Sequence, residues 1–316
     1  PREAEYQASA YLTSRSAKLP EEMTLDEAIS EFIQIRSHVL SPSTIVGYKR
    51  LQHLFFSDIR RMTIRHLVSH QGLIQGSLNR SARTYSPKTI RNAFGLLSGV
   101  FRQYAKGYAL DISLPQAKKV EMKIPSREEA LQLISEARSQ DLRLAIIIAT
   151  AMGLRRSELC ALQWERDIDM EHKRLHVQEA LVLGDDKQWH IKAPKSAAGH
   201  RTLAMPDVVH AALSAIEPKE GLLIHRKPDG ISNAFTALKK RLGLGVRFHD
   251  LRHYYASLLL ALGVPDKYAM ERMGHGTDHM LKAVYQHTMQ EKEREVDELI
   301  NASISHDISH TVKETG

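Results

Sequence analysis

The sequence predicts a mainly α-helical protein of two domains with a small antiparallel β-meander. The chain has 316 residues, a length that accommodates two domains, each able to bury a core of its own. Most segments carry apolar residues at helical spacing behind a typical helix-start residue. Alternating, β-prone residues are confined to residues 174–205. We therefore expect a helical domain followed by a mixed α/β domain.

The first predicted domain, residues 24–110, is a small helical unit. Residues 1–23 are polar and mixed, and we interpret them as a linker from a domain removed before Pro1, since the chain starts without a methionine. Three helices are indicated by a serine or threonine placed just before apolar residues at helical spacing, namely Thr24, Ser41 and Ser86. The N–H groups at such helix starts can bind phosphates.

The second predicted domain, residues 125–290, follows an interdomain linker at residues 111–124. It opens with Ser126 three residues before Glu129, a capping-box pattern, and continues with an apolar helix over residues 142–152 that ends at Gly153. Three strands of one meander come next, at residues 174–183, 188–193 and 201–205. Helices resume from residue 206 to about 304, with breaks near Gly221, Gly245 and Gly263. Residues 291–316 form a C-terminal tail.

The charge of the chain is unevenly distributed. The net charge is +7, yet residues 41–110 hold 11 Lys and Arg against a single acid, Asp58, while residues 121–316 hold 27 basic and 28 acidic residues. Such a surplus is typical of a surface that lies against a polyanion. On charge alone, a solvated basic face explains it equally well.

Cysteine content and hydropathy exclude several classes of protein. The single cysteine, Cys160, rules out a disulfide scaffold and a cysteine-based zinc or iron–sulfur site. Apolar runs such as residues 145–148 and 258–262 are far shorter than a membrane span. We therefore expect a protein of a reducing compartment and no membrane partner.

Four stretches of the second domain carry polar groups that a helical pattern does not require. They lie at residues 153–159, 194–196, 249–253, and 274–275 with Tyr285 ten residues later, and offer arginines, a lysine, histidines and a tyrosine. Such a set fits the attack of an oxygen on a phosphodiester. Guanidinium groups grip the non-bridging oxygens, and a tyrosine, with its ordinary pKa of about 10, needs cations and a base beside it. A lysine can protonate the departing oxygen.

Each of these residues taken alone also has a plainer interpretation. An arginine pair at residues 155–156 is commonly solvated, and Tyr285 sits on an apolar helix face that would normally pack in a core. His249 and His253 stand four apart, as in the zinc motif H-E-x-x-H, but the glutamate is missing and Asp250 is too short to replace it. Only the joint pattern favours phosphodiester chemistry.

The motifs together resemble those of the tyrosine recombinases, the phage-integrase family, and most closely the integrases of phages and conjugative transposons. The resemblance covers roughly residues 24–290 and implies a helical core-binding domain plus a mixed α/β tyrosine-recombinase catalytic domain. Carried over position by position, it implies these roles: Arg155 and Arg252 as catalytic arginines, Glu158 as supporting acid, Lys195 as general acid, His249 and His275 as catalytic histidines, and Tyr285 as nucleophile. We place DNA contacts on Lys49, Arg50, Thr84 with its basic neighbour Arg83, Lys88, Arg91 and Arg201.

The resemblance implies a site-specific DNA recombinase of the bacterial cytoplasm, associated with the nucleoid, that cuts and rejoins strands through a 3′-phosphotyrosyl intermediate. Its expected partners are double-stranded recombination sites, three further copies of itself on two duplexes, and DNA-bending accessory proteins; no metal, ATP or other cofactor is expected. The tail can pack on its own domain or, as the resemblance favours, on a neighbouring protomer. A type IB topoisomerase, a chromosome-dimer resolvase and a non-catalytic DNA-binding protein remain as alternatives.

Overall fold

The structure, a computed structural model, describes residues 19–116, 123–194, 199–217, 220–274 and Val284. The chain divides into two compact units at about residue 120, with residues 183–189 grouped with the first unit. In the described part of the chain, no helix is both long and apolar enough to cross a membrane.

The first unit is helical, as predicted. A 3₁₀ turn at Pro20–Glu22 precedes α1 (Leu25–Ile35), α2 (Pro42–Leu54), α3 (Ile64–Ser69), α4 (Gln71–Ser81) and α5 (Pro87–Tyr104). The side chains of Thr24 and Ser86 cap α1 and α5 by accepting the main-chain N–H three residues on. The sequence analysis did not place α3 and α4, whose apolar residues Ile64, Leu67, Ile74 and Leu78 are buried in the core of this unit.

The second unit surrounds an apolar central helix. Its helices are α6 (Arg127–Glu136), α7 (Gln140–Met152), α8 (Arg156–Leu159), α9 (Trp164–Asp167), α10 (Asp207–Ser214), α11 (Pro228–Leu242), α12 (Asp250–Ala261) and α13 (Asp266–Met273). Helix α7 is buried along most of its length and contacts α6, α10, α11 and α12. The predicted capping box of Ser126 and Glu129 is present at the start of α6.

Among the described helices of this unit, three end in a glycine with a left-handed backbone. Gly153 ends α7, Gly243 ends α11 and Gly274 ends α13, at φ of 69°, 70° and 61°. Gly153 was predicted. The break near Gly245 lies two residues earlier, because it is Gly243 that adopts the left-handed conformation.

In the described residues the strands form two antiparallel sheets, so the predicted pairing of three strands in one meander was wrong. Strands β1 (Ile168–Asp169), β2 (Arg174–Val177) and β5 (Arg201–Ala204) form one antiparallel sheet in the order β1-β2-β5, with Leu175 opposite Leu203. Strands β3 (Ala180–Leu183) and β4 (Trp189–Lys192) form a separate hairpin.

The predicted strand over residues 174–183 is interrupted at Gln178 and Glu179. Their side chains turn to the end of α9, where Gln178 Nε2 donates to Asp167 Oδ1 over 3.0 Å and Glu179 accepts from Arg166 over 2.8 Å. These contacts anchor the break. The third of the predicted strands, β5, consequently pairs with β2, while β4 pairs with β3.

Candidate active site

The site is centred on Glu158, a carboxylate of α8 that is 4% exposed. Its Oε1 accepts from Arg155 Nη1 over 2.6 Å, and its Oε2 accepts from the Arg155 main-chain N–H over 2.8 Å and from Arg201 Nη2 over 2.9 Å. Burial raises the pKa of Glu158, but Arg201 and Arg155 outweigh it, so that the pKa lies below its ordinary value. The carboxylate therefore stays ionised and holds two arginines.

Arg252, near the start of α12, is 1% exposed and is held by main-chain carbonyls. Its Nη1 donates to Gly153 O at the end of α7, and its Nη2 donates to Met273 O at the end of α13. Burial lowers its pKa to about 9, with a further contribution from Arg155. The guanidinium is still protonated at neutral pH.

His249 stands directly before α12 with its ring edge-on to that of His253, the ring centroids 5.0 Å apart. Burial lowers the pKa of His249 to about 4, and the neighbouring His253 and Arg252 act in the same direction. The imidazole is therefore neutral at pH 7 and able to accept a proton. The carboxylate of Asp250 forms an ion pair with Arg247, whose Nη2 lies 2.8 Å from Asp250 Oδ1.

The structure brings together Arg155, Glu158, His249 and Arg252, four of the predicted site residues. Arg155 and Arg252 donate to the adjacent carbonyls of Gly274 and Met273, and the Arg252 main-chain N–H donates to His249 O over 3.1 Å. The remaining three, Lys195, His275 and Tyr285, lie outside the described residues. Val284, the neighbour of Tyr285 in sequence, is buried with Tyr255 and Met273.

Arg201, which we expected to contact DNA, lies beside Glu158 in the site. Its side chain is 6% exposed, and besides Glu158 it donates to Gly199 O over 3.2 Å and, through Nε, to Arg272 O over 2.9 Å. These bonds hold the guanidinium within the site, a place beside Glu158 that the sequence analysis did not assign to Arg201. Its place at the start of a strand beyond the Lys195 loop was the one available signal.

The other candidate DNA contacts lie on the surface of the first unit. Lys49, Arg50, Arg83, Thr84, Lys88 and Arg91 are all exposed. Lys49 forms an ion pair with Asp185, and Arg91 Nη2 donates to Pro115 O over 2.9 Å. Asp58, the sole acid of residues 41–110, is itself paired with Arg80, so no unpaired carboxylate interrupts the positive charge of this segment.

Residues 126–292, more than half of the chain, match the model of the phage integrase family. The chain belongs to the phage integrase family. This confirms the resemblance stated from the motifs. Among curated relatives, a putative prophage phiRv2 integrase of Mycobacterium tuberculosis is 27% identical over 58% of this chain and 52% of its own. The integrase of Salmonella phage P22 is 27% identical over 65% of this chain and 54% of its own. The chain thus spans about half the length of these two curated integrases.

Solved structures confirm the predicted fold class. The Tn1549 transposon integrase in complex with circular intermediate DNA matches with a TM-score of 0.71 at 19% identity, over 86% of this chain and 99% of the other. A lambda integrase dimer bound to a core site matches with a TM-score of 0.60 at 19% identity, over 88% of this chain and 84% of the other. At such identities the likeness establishes the fold.

Proposed function

We propose that this phage integrase family member is a site-specific DNA recombinase that cuts and rejoins strands through a 3′-phosphotyrosyl link to Tyr285. The observation that carries the proposal is the charge of the described site. Two guanidinium groups, those of Arg155 and Arg201, bond one carboxylate, Glu158, and a third, that of Arg252, bonds the carbonyl next to the one that holds Arg155. The surplus of positive charge matches a phosphodiester in its pentacoordinate transition state.

Arg155 is suited to grip the phosphate directly. A guanidinium has five N–H donors, of which Arg155 uses one on Glu158 and one on Gly274 O, at 2.6 and 2.9 Å. Its side chain is 35% exposed, in contrast to the 6% of Arg201. Donors therefore remain for the non-bridging oxygens, while Glu158 keeps the fork in a fixed orientation.

In the proposed step, Tyr285 Oη attacks phosphorus while the bond to the 5′ oxygen breaks. His249, neutral at pH 7, takes the tyrosine proton, and Lys195 gives a proton to the departing 5′ oxygen. A 5′-hydroxyl of a partner duplex then attacks the phosphotyrosyl link, which releases Tyr285 and joins the strands. The phosphotyrosyl link is itself a phosphodiester and replaces the one that was cut, so the cycle balances without ATP or a metal ion.

The family membership favours strand exchange over the alternatives of a topoisomerase and a DNA-binding protein without catalysis, and the named relatives favour an integrase over a dimer resolvase. The matched relatives named above are integrases, and two of the matched structures are integrases on DNA. For the present chain we propose the same class of partner, double-stranded recombination sites, together with DNA-bending proteins and an assembly of four protomers on two duplexes.

We propose that the acidic tail, residues 291–316, docks on a neighbouring protomer and couples cleavage to this assembly. The tail lies outside the described residues. Truncation after His287 is expected to leave melting temperature and single-site binding nearly unchanged, while native gels show weaker pairing of two duplexes. Normal pairing with a melting temperature several degrees lower would mean that the tail packs on its own protomer.

The decisive experiment is the recovery of covalent protein–DNA adducts from a library of nicked duplexes of random sequence. A nick beside the attacked phosphate lets the short cleaved strand diffuse away and traps the adduct, which survives denaturant and can be sequenced. We expect an adduct at one preferred sequence, absent in Tyr285→Phe and retained in Tyr268→Phe, since Tyr268 is an exposed tyrosine on α13. An adduct persisting in Tyr285→Phe would move the nucleophile, with Tyr254, Tyr255 and Tyr268 next in line.

Two duplexes that carry the recovered sequence then separate recombinase from topoisomerase. A recombinase joins strands of different duplexes, whereas a topoisomerase only reseals the ends that it cut. Resealing without exchange would overturn the proposal of recombination and keep the tyrosine chemistry.

A further inference from the structure

The last turn of α13 offers three consecutive main-chain carbonyls to three different arginines. The carbonyls of residues 272, 273 and 274 accept from Arg201 Nε, Arg252 Nη2 and Arg155 Nη2. Terminal carbonyls of a helix have no partner within the helix, and the helix dipole gives this end a partial negative charge. The end of α13 thus orients all three guanidinium groups of the site.

The side chain of Arg272 connects this helix end to α12. Its Nε donates to the hydroxyl of Tyr255 over 2.7 Å, and Tyr255 is 3% exposed. The Tyr255 ring lies against Gly153, where a Cβ atom would clash with it, and Gly153 also has a φ of 69°. A glycine is therefore required there both by the ring and by the backbone.

Two sets of contacts join the end of α7 to the end of α13. Arg252 bridges Gly153 O at the end of α7 and Met273 O at the end of α13. The Tyr255 ring and the Arg272 side chain bridge these ends beside it. Hence the bond between Tyr255 and Arg272 limits how far the two acceptors of Arg252 can separate.

We infer that Tyr255 and Arg272 are positioning residues, which hold the ends of α7 and α13 at the separation that the Arg252 guanidinium needs to meet the phosphate. The inference rests on the proposed function and adds two residues that do not touch the substrate. Tyr255→Phe tests it with little disturbance, because the ring stays on Gly153 and only the hydroxyl is lost. Arg272→Lys is the second variant, since it keeps the charge and loses the Nε donor.

We expect either variant to cleave the recovered site about tenfold more slowly than the wild type, as for the loss of one hydrogen bond to a charged group, with DNA affinity unchanged. Tyr268→Phe, a matched change on α13, is the control and should cleave at the wild-type rate.

A methylphosphonate at the cleaved position separates positioning from a loss of folded protein. It replaces one non-bridging oxygen by a methyl group and removes the charge that the guanidinium groups stabilise. If Tyr255 and Arg272 act through the arginines, the tenfold ratio of wild-type to variant cleavage rates shrinks toward one on this substrate. If the variants cleave more slowly than the wild type by the same factor on both substrates, or are not slowed at all, the inference is overturned and the proposed function stays intact. Failure of the wild type to cleave any duplex overturns the proposed function and this inference with it.

Discussion

At the scale of single residues, the site depends on one buried carboxylate that orients cations. Glu158 and Arg201 are each almost fully buried, and they form an ion pair in which Arg201 Nη2 lies 2.9 Å from Glu158 Oε2. Arg155 is more exposed and shares the same carboxylate. Removing one partner from such a buried pair costs more than forming the pair contributes, because the remaining charge is left without a partner in a place that water does not reach.

Arg155→Lys is expected to slow cleavage by about 10²–10³ with DNA affinity largely kept. Lysine preserves the charge but lacks the planar fork that meets Glu158, Gly274 O and the phosphate together. The control is Arg156→Lys, an exposed neighbour whose guanidinium donates to Ser232 on α11. Single-turnover cleavage rates decide the matter, and a wild-type rate in Arg155→Lys would remove this residue from the catalytic set.

Glu158→Gln is expected to lower the free energy of unfolding at pH 7 by about 3–5 kcal/mol, because it leaves Arg201 buried without its charge partner. The pKa of Glu158 is lower in the folded protein than in the unfolded chain. Its contribution is therefore present above the unfolded value of about 4.3 and is lost as the pH falls through the lower folded value. Urea unfolding at pH 7 and at pH 3 should show the gap to the wild type closing in acid.

The matched control for this pH dependence is Glu171→Gln, which changes an exposed carboxylate of the same unit. Its unfolding should follow the wild type at both pH values. A gap between Glu158→Gln and the wild type that stays constant down to pH 3 would contradict the ionised state assigned to Glu158.

At the scale of elements, helix ends do most of the positioning. The start of α8 holds Arg155 and Glu158, the end of α7 supplies Gly153 O, and the end of α13 supplies three carbonyls. Helix ends carry the unpaired N–H and C=O groups of the helix, so they are natural anchors for charged side chains. The capping boxes at the starts of α1 and α6 instead stabilise the unit in which each of them lies.

Loss of the Thr24 or the Ser126 cap is expected to destabilise different units by similar amounts. Thr24→Ala and Ser126→Ala each remove the cap of a capping box, at the starts of α1 and α6, and each should cost about 1 kcal/mol. Hydrogen–deuterium exchange, measured by mass spectrometry of peptides, should show faster exchange in the first unit for Thr24→Ala and in the second unit for Ser126→Ala. Ser135→Ala, within α6, is the control, and equal effects of both cap variants on both units would mean that they unfold as one.

At the scale of the whole molecule, the positive charge is concentrated in one segment. Residues 41–110 carry 11 Lys and Arg against Asp58, and Asp58 is neutralised by Arg80. Burial raises the pKa of Asp58, but hydrogen bonds from Ser77 and Arg80 outweigh it, so the pKa is lowered and the acid stays charged and paired. The segment therefore keeps a surplus of positive charge suited to contacts with phosphates.

DNA affinity is therefore expected to fall steeply with salt, by about 0.9 log units per log unit of salt for each phosphate neutralised. Lys88→Gln, an exposed change at the start of α5, should reduce the slope by about 0.9. Lys173→Gln, whose amino group is paired with Asp207 at 2.8 Å in the second unit, should leave the slope unchanged. Fluorescence anisotropy over a salt series measures both, and an affinity independent of salt would mean that the basic segment faces solvent.

The sequence by itself determined the features that depend on neighbours a few residues apart. The capping boxes at Thr24 and Ser126 join residues three apart, and so does the bond from the Arg155 main chain to Glu158. The left-handed turn at Gly153 is equally local. The family motifs were recognisable for the same reason, since each is a short run of residues in a fixed order.

Only the tertiary structure decided how these pieces meet. Arg201 reaches Glu158 across 43 positions and Arg272 O across 71, and Arg155 reaches Gly274 O across 119. The strand over residues 174–183 divides because Gln178 and Glu179 find partners on α9, which periodicity cannot show. Alternation and helical spacing report which face of an element is apolar, whereas the partner of a buried charge depends on where distant elements come together in the folded chain.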